Sequence, residues 1–193
     1  MYRLLFLFSV TAVLAFSQSF ESRALRISET IQAHHLPFGT ILNPVYASPE
    51  GTEPVGYTRC GDSAIWTGHY LAAEAFRYAV TRTPEALAAA RSALKGVASL
   101  VTVTGDHRLL ARCVLRPDSS FAADPRNEEK QHGEYTGVID GVEHVWIGNT
   151  SRDQYLGVLF GLSVAYDHMP DDRDLIRHFS GAPPGEELER RDA

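Results

Sequence analysis

The chain has 193 residues, of which 44% are hydrophobic, 22% charged and 10% aromatic, with two cysteines. That balance excludes long disorder, collagen-like repetition and a cysteine-stapled miniprotein, and the length suits one domain or a piece of a larger one. A net charge of −6 lacks the basic footprint of a nucleic-acid binder.

Residues 1–17 read as an export signal. Arg3 supplies a positive start, Leu4 to Phe16 is uncharged and mostly apolar, and Ala15-Phe16-Ser17 offers small residues to a signal peptidase. Those thirteen residues fall short of the ~20 that span a bilayer. Cleavage before Gln18 is therefore expected, leaving a mature chain that is secreted or periplasmic and off the membrane. Residues 18–61 read as an N-terminal arm. Leu25, Ile27 and Ile31 suggest a short amphipathic helix, after which Pro37, Pro44, Pro49, Pro54 and four glycines interrupt the chain too often for regular structure.

From Asp62 to Val80 proline disappears and alanine, leucine and aromatic residues dominate, so a helix is expected with Asp62 or Ser63 as its cap. Thr83-Pro84-Glu85 opens a second helix, with threonine at the cap, proline at the first turn and an acid at the positive end of the dipole. Its apolar stripe runs through Leu87, Leu94, Val97 and Val101 to Gly105, interrupted by Arg91. Only Thr81 and Arg82 separate the two helices, so they fold back as an antiparallel pair. Residues 106–132 read as a loop. Residues 134–147 read as a β-hairpin about Asp140-Gly141, a pair that accepts positive φ. Thr150 or Ser151 caps a third helix reaching about His168, with Thr150 and Asp153 spaced as in a weak capping box. A fourth helix is expected from Asp171 through Phe179, and residues 181–193 form a polar tail. These elements predict an all-α domain over 62–180, built of antiparallel helical hairpins with a small β-hairpin inserted.

Cys60 and Cys113 fit either a structural disulfide or two buried thiols, since neither lies in a C-x-x-C motif or at zinc-site spacing. No cofactor or metal motif is present. Two helices also match at an offset of 89 residues: Trp66 falls on Tyr155, Gly68 on Gly157 and Ala72 on Gly161. Small residues spaced by four share a helix face and permit close approach of a neighbour, although chance matching among alanine-rich helices is the alternative.

The segment Trp146-Ile147-Gly148-Asn149-Thr150-Ser151-Arg152-Asp153-Gln154-Tyr155-Leu156-Gly157 resembles a W-x-G-[DN]-T-S-x-D-x-x-x-G stretch. That stretch occurs in a poorly characterised group of secreted six-hairpin, (α/α)6-toroid glycosidase-like proteins. Leu109-Leu110-Ala111-Arg112 and Asp62-Ser63-Ala64-Ile65-Trp66-Thr67-Gly68 fit the same neighbourhood, and the resemblance spans roughly residues 56–180. It implies a partial α/α toroid, with about four of twelve helices present and a missing half or partner chain to complete the ring. It also implies a carbohydrate-active protein, a glycoside hydrolase or lyase acting on an extracellular glycan. Asn149 stands where the resemblance leads one to expect an acid. The alternative is a non-catalytic glycan-binding or scaffold domain.

Residue chemistry gives the site. Glycoside cleavage needs two carboxyl groups about 5–5.5 Å apart for retention or ~6.5–9.5 Å for inversion. Asp153 and Asp62, each at a helix start, are the acid–base candidates. Trp66, Tyr155 and Trp146 are the aromatic candidates for holding a glycan or other small polar ligand. Arg152 and Arg112 are the candidates for a bidentate grip on it. Each has a structural alternative: cap, dipole partner, core aromatic or carbonyl clamp.

Overall fold

The computed structural model describes residues 20–180, and the segments read from sequence as an export signal and a polar tail lie outside them. The chain divides into two units, residues 1–33 and 34–193. Helix α1 (Phe20–His34) carries Glu21 in its first turn and His34 in its last, each suited to its end of the dipole. It covers and extends the short helix expected around Leu25 to Ile31.

In the second unit a two-stranded ribbon, β1 (Asn43–Tyr46) and β2 (Pro54–Thr58), pairs antiparallel with an irregularity at Val45/Tyr46. The region was expected to be irregular because of its prolines. Both strands are edges, however, so Pro44 and Pro54 can sit where no ladder donor is required. Helix α2 (Ser63–Thr81) follows and ends where Arg82 turns left-handed at φ 54°. Helix α3 (Pro84–Thr102) starts one residue later, with Thr83 Oγ1 accepting from the Ala86 N–H at 3.3 Å. Alanines fill the seam of this antiparallel hairpin: Ala64, Ala75, Ala86, Ala90 and Ala93 are fully buried. Gly105 does not end α3, which stops at Thr102. The glycine instead takes φ 71° in the turn that follows.

The stretch expected as a loop contains strand β3 (Cys113–Leu115) and a short helix α4 (Ala123–Glu128). β3 joins the expected hairpin, β4 (Glu134–Ile139) and β5 (Val142–Ile147), in a sheet of order β3-β5-β4. Asp140 and Gly141 take φ 51° and 78° at its turn. Helix α5 (Arg152–His168) and helix α6 (Arg173–Ser180) complete the chain. No described helix is long and apolar enough to cross a membrane.

The expected all-α partial toroid is thus overturned. The fold is mixed, with two antiparallel sheets among the described residues. The strands are part of the core. Leu42, Tyr57, Cys60, Cys113, Leu115, Ala122 and Ile147 form one buried cluster that draws on both sheets, with Phe38 and Phe121 against it. Helical periodicity cannot reveal strands of three to five residues, because their burial comes from pairing distant in sequence. Cys60 and Cys113 form a disulfide inside this cluster, both fully buried.

Helices α2 and α5 run side by side in the same direction. Ile65 meets Gln154, His69 meets Phe160 and Phe76 meets His168, so contacts ascend together along both chains. The glycines matched at the 89-residue offset lie at this seam. A Cβ on Gly68 would strike the Gly157 carbonyl, one on Gly157 the Ile65 side chain, and one on Gly161 the Gly68 carbonyl. Backbone rests directly on backbone here, which a side chain larger than hydrogen forbids.

Candidate functional site

The parallel arrangement brings the starts of α2 and α5 to one end of the unit, and three side chains lock them together. Arg112 lies between the two helix starts. Its Nη1 donates to the Gly61 carbonyl at 2.8 Å, its Nε to the Asn149 carbonyl at 2.9 Å, and its Nη2 to Ser151 Oγ at 3.0 Å. Its backbone serves the same purpose, donating to Ile147 O and accepting from the Ala64 N–H. Each of its guanidinium nitrogens donates to protein, two of them to backbone carbonyls, so Arg112 staples the helix starts together, as the carbonyl-clamp alternative supposed.

Gln154 is the second lock. It is fully buried, its Oε1 accepting from the Ile65 N–H at 2.8 Å and its Nε2 donating to Asp62 Oδ1 at 3.3 Å. Asp62 occupies the cap position of α2 but its side chain makes no capping bond. An amide from α5 therefore satisfies one of the donors that the first turn of α2 leaves open. Replacing it removes partners from a buried N–H. We expect Gln154→Leu to lose about 1–3 kcal/mol, read as a lower midpoint in urea unfolding; an unchanged midpoint would show that water serves the same donor.

Tyr155 is the third. Its hydroxyl accepts from the Leu110 N–H at 3.2 Å, and Thr150 Oγ1 donates to the Leu110 carbonyl. Both polar groups of that backbone unit are thereby paired, and Thr150 lies one residue ahead of the cap position, so the expected capping box does not form. Ser151 is the cap residue of α5, without a side-chain capping bond.

Asp153 and Arg152 stand exposed in the first turn of α5. The Ser151 hydroxyl beside Asp153 holds its carboxyl below the usual carboxylate range, and nearby backbone amides and the Arg112 charge pull the same way. A group so placed is a carboxylate at neutral pH and a poor proton donor. Asn149, exposed ahead of it, takes a left-handed φ of 48°, a conformation asparagine tolerates better than most residues. The left-handed backbone at this position thus supplies a conformational reason for asparagine where an acid was expected.

The aromatic candidates separate. Trp66 is 51% exposed on the outer side of α2, with His69 at 5.8 Å between ring centroids and Phe160 beyond it. Trp146 lies instead on the sheet, stacked on Tyr135 at 4.5 Å and 24°. Tyr135 is itself 51% exposed. Both rings cover Gly148, where a Cβ would come within 2.6 Å of Tyr135 Cε2 and 3.5 Å of Trp146 Cζ3. The stacked pair therefore borders the exposed turn that runs from Asn149 to Asp153. Tyr135 was not among the sequence-based candidates. The signal existed, because a two-residue turn at Asp140-Gly141 pairs Tyr135 with Trp146, the observed register.

The arrangement is a stacked aromatic pair over Gly148, followed in the chain by an exposed turn that carries Asn149 and Asp153 and is tied to the rest of the unit through Arg112, Gln154 and Tyr155. Comparison of the chain with protein-family models, with curated proteins and with solved structures finds no match. The site is therefore read on its own geometry.

Proposed function

We propose that this chain is an exported, non-catalytic glycan-binding protein, and that the Tyr135–Trp146 pair is the platform on which a sugar ring lies. The observation that carries the reading is the stacked pair itself, with Tyr135 half-exposed and Trp146 partly buried, seated on Gly148 at the start of the polar Asn149–Asp153 turn. An apolar face flanked by a few fixed polar groups is the usual composition of a small-ligand site. Asn149 and Asp153 supply an amide and a carboxylate acceptor for sugar hydroxyls.

Catalysis is the weaker reading for a chemical reason. A hydrolase needs one carboxyl that holds its proton near neutral pH. Asp153 is pushed toward the ionised form, and Asp62 is half-buried and engaged by Gln154. Export is supported by the leader pattern in residues 1–17 and by the buried Cys60–Cys113 disulfide, a bond that persists in oxidising compartments.

The test is calorimetric titration with a panel of extracellular polysaccharide fragments. Saturable binding is expected, with Tyr135→Ala weakening it at least about tenfold, or ~1.4 kcal/mol, without lowering the melting midpoint by more than about a degree. The half-exposed ring is not a core residue, so its loss should leave the fold intact. Binding that survives Tyr135→Ala would remove the platform. Release of reducing ends by the unmodified chain, abolished in Asp153→Asn, would replace the binding reading with a hydrolytic one.

A further inference from the structure

The outer face of the α2–α5 pair is apolar where it should be polar. Trp66, Phe76 and Val80 on α2, and Leu156, Leu159 and Phe160 on α5, are exposed by between 44% and 84% of their surfaces. Together they leave on the order of 600 Å² of apolar side chain against water. That matches the upper end for the largest patch on an ordinary monomer and approaches the ~800 Å² each partner brings to a standard interface. Helix α3 shows the contrast, since its exposed positions carry Glu85, Arg91 and Lys95.

The patch is also patterned. Trp66, His69, Ala73, Phe76 and Val80 are spaced three, four, three and four residues apart, all exposed, with no carboxylate, lysine or arginine among them. On α5, Leu156, Leu159 and Ser163 continue the same rhythm. Such spacing forms a straight seam of the kind that packs helix against helix by interdigitating side chains. The opposite faces of both helices already carry the core, so this second seam has no occupant among the described residues.

We propose that the chain is a homodimer in which this face packs against the same face of a second copy, about a two-fold axis perpendicular to the helices. Electrostatics selects both the occupant and the direction. α2 and α5 are parallel, so their positive ends lie together at one end of the seam and their negative ends at the other. Arg152 stands exposed at the first end, next to the exposed Asp153, and Asp167 at the second; Arg152 and Asp167 each continue the Leu156–Leu159–Ser163 rhythm at a spacing of four. A two-fold axis across the helices sets α2 on α2 and α5 on α5, antiparallel. It brings the positive end of each copy to the negative end of the other, and Arg152 to Asp167 of the second copy. The face is thus complementary to itself in charge as well as in apolar area, and a two-fold contact closes without leaving a further copy to add. The apolar face is distinct from the Tyr135–Trp146 pair on the sheet; Arg152 alone is shared with the turn beside that pair, and Leu156→Glu and Phe76→Glu test the dimer apart from it.

Sedimentation equilibrium of the purified chain at micromolar concentration tests it. The expected result is twice the chain mass. Leu156→Glu and Phe76→Glu should each give a monomer with an unchanged far-UV circular dichroism spectrum, because both positions are exposed and their replacement leaves the core untouched. Arg152→Asp and Asp167→Arg should each weaken the dimer by about tenfold, and the two together should restore it, since the swap reverses both charges. A monomer at tens of micromolar overturns the proposal. So does a monomer that excludes a hydrophobic dye from the face, which would mean that another part of this chain covers it. A dimer indifferent to both glutamate variants places the contact elsewhere, and a failed charge-swap rescue rejects the antiparallel packing.

Discussion

Gly68→Ala is expected to destabilise the protein by about 2–3 kcal/mol, the scale of overpacking in a closed core. In an exposed helix the same exchange stabilises by roughly 1 kcal/mol, because alanine loses less backbone entropy on ordering. The sign reverses because of what the added methyl meets. A Cβ on Gly68 would lie 2.5 Å from the Gly157 carbonyl carbon and 2.7 Å from the Val158 nitrogen. These are backbone atoms of a neighbouring helix, which cannot rotate aside as a side chain does. The two helices must separate along their whole contact to admit one methyl group. Gly161→Ala should act the same way from the opposite side, since its Cβ would lie 2.9 Å from the Gly68 carbonyl carbon. The double variant should cost less than the sum, because the first substitution already opens the seam that the second needs. Urea unfolding monitored by circular dichroism measures all three. A stabilised Gly68→Ala protein would mean that α2 and α5 do not touch through their backbones.

Loss of the Cys60–Cys113 bond carries the other large effect. The cross-link closes a separation of 53 residues, for which loop-closure entropy gives about 4 kcal/mol at 25 °C. Both sulfurs are fully buried in the cluster formed by Leu42, Tyr57, Leu115 and Ile147. The bond ties the segment following the β1–β2 ribbon to β3, elements that are covalently connected otherwise only along the chain, through the helical hairpin. Urea unfolding with and without reductant should show a loss of that size, and Cys60→Ala with Cys113→Ala should lose at least as much, since truncation also leaves space in the cluster. A reduced protein within about 1 kcal/mol of the oxidised one would assign the stability of this region to packing alone.

The helices and one hairpin were legible because their signals are local. Thr83 and Pro84 mark the start of α3 within two residues, and the two-residue gap, expected at Thr81 and Arg82 and observed at Arg82 and Thr83, leaves no length for anything but a reversal. Asp140-Gly141 marks the β4–β5 turn by its backbone requirement alone. The strands β1, β2 and β3 were not legible in the same way. Three buried residues at Cys113–Leu115 form a strand only because β5 lies beside them, with partners at Val145, Trp146 and Ile147 far along the chain. The prolines of residues 37–61 argue against regular structure, and an edge ribbon evades that rule.

The same division holds at the site. Asp62, Arg112, Asp153 and Tyr155 were picked out for their chemical types, and the structure brings Asp62, Arg112 and Tyr155 to the joined helix starts and Asp153 to the first turn of α5. Their tasks depend on partners far along the chain. Arg112 reaches Gly61 in one direction and Asn149 in the other, 51 and 37 positions away. Gln154, the side chain that joins the two helix starts most directly, attracted no attention because an interior glutamine gives no sequence signal until its neighbours are known. The glycine correspondence between α2 and α5 was the most informative pattern, since residues that align in sequence also meet in space.

The central claim is that a glycan lies on the Tyr135–Trp146 pair, and the emission of Trp146 reports on it most directly. The chain has two tryptophans, so Trp66→Phe leaves Trp146 as the sole indole fluorophore. Titration of that variant with a bound oligosaccharide should give a saturable blue shift in emission, at the same midpoint that calorimetry reports, as the sugar displaces water from the rings. Binding by calorimetry with no change in Trp146 emission would place the glycan elsewhere and contradict the account.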